Sequence, residues 1–120
     1  MIKSFEDLEV YQLSILLTKK IYSLVKNFPL KERFIIVDQL MRAGTSIGAN
    51  IAEGFGRNTT KEFLAFLYNS RGSLMEVRHF LNLSKELGYI SIDKFESITK
   101  DCNLLGVKIN NLINSLKKKL

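Results

Sequence analysis

Arg42-Ala43-Gly44-Thr45-Ser46-Ile47-Gly48-Ala49-Asn50-Ile51-Ala52-Glu53-Gly54-Phe55-Gly56-Arg57 is the stretch whose reading decides the fold. On a helix, Arg42, Ser46, Asn50 and Glu53 recur three or four residues apart and share one polar stripe. Gly44, Gly48 and Ala52 form a second line, without bulk, along which another helix backbone can approach closely. A glycine inside a helix costs about 1 kcal/mol against alanine, so two of them ask for such a packing reason. Ile47 and Ile51 supply the apolar line between. Gly54 and Gly56 are expected to end the helix in left-handed or extended backbone, with Arg57 facing its negative pole.

Outward from this stretch the pattern stays helical. Upstream, Ser4 and Asp7 resemble a capping box, and a first helix is predicted from about residue 5 to 27. Its apolar set includes Leu8, Tyr11, Ile15, Leu16, Leu17, Ile21 and Tyr22, which is wider than one seam and predicts more than one buried face. Asn27-Phe28-Pro29 stops it, because the residue before proline is pushed out of the helical region. A second helix is predicted from Leu30 or Lys31 into Glu53, with Phe34, Ile36, Val37, Leu40 and Met41 as core contacts.

Downstream, Thr59-Thr60-Lys61-Glu62 reads as a capping box before a third helix from about Lys61 to Leu87, which Gly88 ends. Gly72 at its middle is expected to mark close approach to the small residues of the second helix. Ser91 is the expected cap of a fourth helix. There Phe95, Ile98, Cys102, Leu105, Ile109, Leu112 and Leu116 alternate three and four apart in a heptad seam. No pattern asks for a strand. Residues 1–120 read as one all-α domain, an antiparallel up-down-up-down four-helix bundle with turns near 28 to 30, 54 to 59 and 88 to 91.

The motif Arg42-Ala43-x-x-Ser46-Ile47-x-x-Asn50-Ile51-Ala52-Glu53-Gly54-x-Gly56-Arg57 is followed by Lys61-Glu62-Phe63 and Gly72-Ser73-Leu74-x-Glu76. Together they resemble the bacterial four-helix-bundle family encoded by intervening sequences of 23S ribosomal RNA genes. Phe5-x-Asp7-Leu8-x-Val10, Phe28-Pro29 and Leu87-Gly88-Tyr89-Ile90 extend the likeness over nearly the whole chain. The accessory variability determinant of diversity-generating retroelements looks like a relative. The resemblance implies a homo-oligomer, specifically a homopentameric ring. It also implies contact with RNA or DNA and an adaptor role toward a reverse transcriptase or a ribosome-related partner. It implies no enzymatic activity. Arg42, Ser46, Asn50, Glu53, Gly54, Gly56, Arg57 and Glu76 match the family motif and are read as structural. Glu53 is expected to be a buried carboxylate paired with Arg57, Arg42 or Arg71.

Charge points the same way. The chain carries 18 Lys and Arg against 12 Asp and Glu, a formal net charge of +6, with ten of the basic residues in the second half. Such an excess favours anionic partners. Lys19, Lys20 and Lys26 of the first helix, with Lys108 and Lys117, Lys118 and Lys119 of the last, are the candidate contacts to nucleic-acid phosphates if those helices are neighbours. Aromatic residues do not alternate with basic ones along the chain as in stacking platforms, so binding is expected to be backbone-directed and sensitive to salt.

Other chemistry finds little footing. Glu76-x-x-His79 has the spacing of a di-iron helix, but the chain has one histidine, so no metal and no cofactor is expected. Cys102 falls within an apolar seam, where a thiol is inert and its pKa rises. Gly54-Phe55-Gly56-Arg57 lacks the ending of a phosphate loop, and no strand precedes it. No nucleophile constellation emerges, so catalytic residues are expected to be none. A lone cysteine and an N-terminus with acids in place of an apolar run suit a cytoplasmic protein with no membrane partner.

Overall fold

The computed structural model describes residues 1–120. One turn of 3-10 helix at Phe5–Asp7 leads into α1 (Glu9–Val25), and a second at Leu30–Glu32 precedes α2 (Ile36–Phe55). The long helices α3 (Thr60–Glu86) and α4 (Ile92–Lys117) complete the chain. The result is the expected all-α four-helix bundle, 46 × 25 × 21 Å, in which each helix packs on its sequence neighbour and α4 closes back on α1.

Local chemistry sets the helix starts. The Thr59 hydroxyl accepts from the Glu62 N–H at 3.1 Å, and the Ser91 hydroxyl from the Lys94 N–H at 3.2 Å. The Ser4 N–H donates to the Asp7 carboxylate at 3.2 Å. These bonds satisfy donors that a helix start leaves unpaired. Gly88, at φ +80°, is the one residue in the left-handed region and turns the chain from α3 to α4.

The core is a single cluster of 22 buried apolar residues, with Leu17 and Ile21 of α1, Leu40, Ile47 and Ile51 of α2, Leu67, Leu74 and Leu81 of α3, and Leu105 and Ile109 of α4 at its centre. At the end of α4 the seam runs through Ile113 and Leu116, and Leu112 is only half-buried. A straight helix drifts against a strict seven-residue repeat, which moves the buried line from Leu112 to Ile113.

Three expectations are corrected. α2 begins at Ile36 rather than near Leu30, because the backbone at Ile35 (φ −118°, ψ −97°) interrupts the turn before it. Phe34, expected in the core, therefore projects outward at 82 % exposure. Gly54 and Gly56 are not left-handed. Gly54 is buried inside α2, where a Cβ would stand 2.7 Å from the Phe66 Cβ, and Gly56 closes the helix with helical angles (φ −79°, ψ −2°). The reason for Gly54 is close packing against α3 rather than termination. Gly72, expected to mark a close approach, has nothing within 4 Å of where a Cβ would stand. The small line of Gly44 and Gly48 packs instead against Ile21 and Ser14 of α1.

The two turns at one end of the bundle are tied together. The buried Glu32 carboxylate accepts the Tyr89 hydroxyl at 2.6 Å, and the rings of Phe28 and Tyr89 lie 5.6 Å apart. That bond, aided by burial and by the carboxylate charge, raises the Tyr89 pKa above its ordinary 10.0.

Candidate nucleic-acid interface

The α2 stripe divides into two kinds of residue. Ser46 and Asn50 face α3: the Asn50 amide donates to the Ser46 carbonyl at 2.8 Å and its hydroxyl at 3.0 Å, and the Ser73 hydroxyl donates to Ser46 at 2.9 Å. Ser70, fully buried, donates to the Ile47 carbonyl at 2.9 Å. These bonds fix the register of α2 on α3, since a buried polar group left unpaired is costly. Arg42, Glu53 and Arg57 face solvent. Arg42 meets Asp38 at 3.0 Å, and Arg57 reaches Glu53 only at 4.0 Å while covering the Phe66 ring at 4.7 Å. The Glu53 side chain is 59 % exposed, so it is not the buried, paired carboxylate expected from sequence. Glu76 is exposed on α3.

The lysines predicted to share one surface of α1 and α4 do not form it. Lys20 is held by Asp101 at 2.6 Å and Lys108 by Glu9 at 3.3 Å, two exposed bridges that follow from the antiparallel register of the pair. Lys19 and Lys26 instead share a shallow depression on α1 with Thr18, Tyr22 and Ser23. Lys117, Lys118 and Lys119 lie roughly 14 Å beyond Lys108 at 1.5 Å per residue, at the opposite end of the bundle from Lys26.

Sequence reasoning missed the side of the bundle where α3 meets α4. Arg71 donates to the Asn110 Oδ1 at 3.1 Å, and its guanidinium lies 5.0 Å from the Tyr68 ring centroid. The Lys117 ammonium lies 5.8 Å from the same ring, so an aromatic residue does stand among cations here. One heptad on, Arg78 lies close enough to α4 for its charge to act on Cys102. A further heptad on, Lys85 covers the Phe95 ring at 4.4 Å and meets Glu86 at 3.5 Å. Arg71, Arg78 and Lys117 are exposed and make no ion pair. The seven-residue recurrence of Arg71, Arg78 and Lys85 was the legible signal.

A second surface is mixed. Between the outer faces of α1 and α2, a groove is lined by Tyr22, Phe34, Val37, Met41 and Thr45 together with the charged Arg33, Asp38 and Arg42. It continues past Ile15, Thr18, Ala49 and Ala52. Phe34 and Ile35 are exposed by 82 % and 60 % and Ile15 by 41 %, which is a large apolar face to leave in water. On the other edge of α1, Leu16, Leu104 and Val107 are also about half exposed.

Cys102 is fully buried, and burial pushes its thiol from 9.0 up to about 11, slightly opposed by Arg78. No three His, Cys, Asp or Glu side chains converge, and His79 lies edge-on to Phe80 at 4.9 Å. No helix is long and apolar enough to cross a membrane.

The fold and composition define a small basic four-helix bundle. The chain belongs to the 23S rRNA-intervening sequence protein family, whose model matches residues 6–111. It is similar to a crystal structure of a protein of unknown function from the S23 ribosomal protein family of Bacteroides thetaiotaomicron VPI-5482. That likeness has a TM-score of 0.81 and 27% identity, over 88% of this chain and 95% of the other. No curated protein sequence matches the chain.

Proposed function

We propose that this protein is a non-enzymatic, cytoplasmic, self-associating module that binds RNA or DNA through its phosphates and serves as an adaptor. The observation that carries the reading is the separation of two surfaces, a groove between α1 and α2 flanked by the exposed Phe34 and Ile35, and cations on α3 and α4 that make no ion pair. Apolar faces of this kind are covered in solution, and the simplest cover is another copy of the chain. A closed ring needs two different faces on each copy. The α1–α2 groove is one, and the α1–α4 edge with Leu16, Leu104 and Val107 is the other. The family resemblance favours five copies, with a reverse transcriptase or a ribosome-related assembly as the partner served.

A protein-only scaffold is the second reading. It is favoured by Lys20 and Lys108, which are spent on ion pairs within the bundle. Titration of a mixed-sequence oligonucleotide at several salt concentrations separates the two, with light scattering on the same sample. Phosphate binding must weaken steeply as salt rises, whereas a scaffold shows a mass several times 13.8 kDa and no salt-sensitive binding. A monomer at micromolar concentration refutes the assembly in either reading.

A further inference from the structure

We infer that the outer face where α3 meets α4 is a track for one strand of nucleic acid, entering at Lys117 and Tyr68 and running past Arg71 to Arg78. The inference rests on the nucleic-acid reading above and gives it a place. Arg71 and Arg78 are seven residues apart on α3, about 10 Å along the helix, and lie about 20° apart around it. Lys117 extends the row from the facing helix, since it shares the Tyr68 ring with Arg71. The row is thus a single line of positive charge bordered by neutral Asn110.

Carboxylates are turned away from this line. Asp101 of α4 is engaged with Lys20 of α1. Glu76 stands about 140° around α3 from Arg71 at 3.6 residues per turn. Glu86 and Glu96 gather with Lys85 at the far end, which closes the track there to an anion. The Lys117 end opens instead onto Lys118 and Lys119, both exposed. Charge therefore grades from repulsive at one end to attractive at the other.

A single row suits a single strand. A duplex presents two phosphate lines across a groove at least about 6 Å wide, and this surface offers only one line of partners. Tyr68, 37 % exposed beside Arg71, adds a ring on which an unpaired base can stack, and a guanidinium plane serves likewise. Arg71 spends one donor on Asn110 and keeps the rest of its fork for phosphate oxygens.

The test uses the full chain and a dye-labelled single strand of about 12 nucleotides, as RNA and as DNA, near 50 mM salt and upward. Arg71→Gln/Arg78→Gln should weaken binding at least tenfold and flatten the logarithmic salt slope by about 1.4, two phosphate contacts at about 0.7 each. Lys19→Gln/Lys26→Gln should change it less than twofold. Tyr68→Ala should lose about fivefold and Tyr68→Phe should retain binding, which separates stacking from folding. Each variant's melting curve must match the parent, as exposed positions allow. Whichever of RNA and DNA binds tighter identifies the source of the strand. If the parent binds neither, the functional reading fails and the track with it. If the parent binds but the arginine pair does not matter, the track alone is wrong. Equal binding of a duplex overturns the single-strand assignment, and equal displacement by polyglutamate makes the face a site for acidic protein.

Discussion

The α1–α2 pair and the α3–α4 pair are built from the same bundle geometry but present opposite surfaces. Where α1 meets α2, Gly44 and Gly48 take Ile21 and Ser14 at 3.0 and 2.9 Å from where a Cβ would stand, and Thr18 donates to the Gly44 carbonyl at 3.1 Å. The outer rim of that contact is left to Phe34, Met41 and Ile15. Where α3 meets α4, Gly72 has open space, Gly106 meets Leu74 at an ordinary 3.5 Å, and the rim is Arg71, Arg78 and Tyr68. The difference teaches that one bundle geometry can leave an apolar rim beside a tight helix contact and a cationic rim beside a looser one.

The glycines give the sharpest way to break this comparison. Gly48→Leu should force Ser14 and Tyr11 aside and lower stability by about 3 kcal/mol, the upper end of what overpacking usually costs. Urea unfolding of the variant checks it, and an unchanged midpoint would remove the close contact of α1 and α2 from the account. On the apolar rim, Phe34→Ser/Ile35→Ser should leave the melting of the dilute chain nearly unchanged, because both residues are exposed. Its assembled mass should fall toward 13.8 kDa in light scattering.

Alkaline pH probes the inner wall of the basic side. Cys102 has its pKa raised from 9.0 to about 11 in the folded chain, so the unfolded chain loses this proton first. Stability should therefore fall as pH rises from 9 toward 11, by no more than about 2 kcal/mol from this group. Cys102→Ala should flatten that part of the profile, and Arg78→Gln should shift it upward, since Arg78 lowers the thiol pKa. A profile indifferent to both would displace Arg78 from its place beside Cys102.

Smaller effects separate the two sides further. Gly72→Ala should stabilise by about 1 kcal/mol through helix propensity, with no neighbour to oppose it. Glu53→Ala should cost less than about 0.5 kcal/mol, because its contact with Arg57 is long and exposed. A loss of several kcal/mol there would restore the buried pair expected from sequence, as it would if a neighbouring copy covered that face.

The bundle was legible because its signals are local. Thr59 with Glu62, Ser91 before α4, and Gly88 after α3 announce themselves within a turn or two of chain. Phe34 was misread because apolar spacing continues through a 3-10 turn that does not present the same face. Gly54 was misread because its reason lies on Phe66, in another helix. The lysines of α1 and α4 were grouped without their ion-pair partners for the same cause. Periodicity groups residues within one helix, but only the register across helices puts Asp101 beside Lys20 and Asn110 beside Arg71. Phe28-Pro29 and Tyr89 were seen as separate landmarks, and the structure joins them through Glu32.

The central claim is that the two surfaces are separable, and sedimentation velocity with a dye-labelled single strand reads both in one run. The account predicts that Phe34→Ser/Ile35→Ser sediments as a lighter species that still carries the dye at low salt. Arg71→Gln/Arg78→Gln should keep the parent mass and release the dye. If either pair of substitutions abolishes mass and dye together, the surfaces are one site and the account is contradicted.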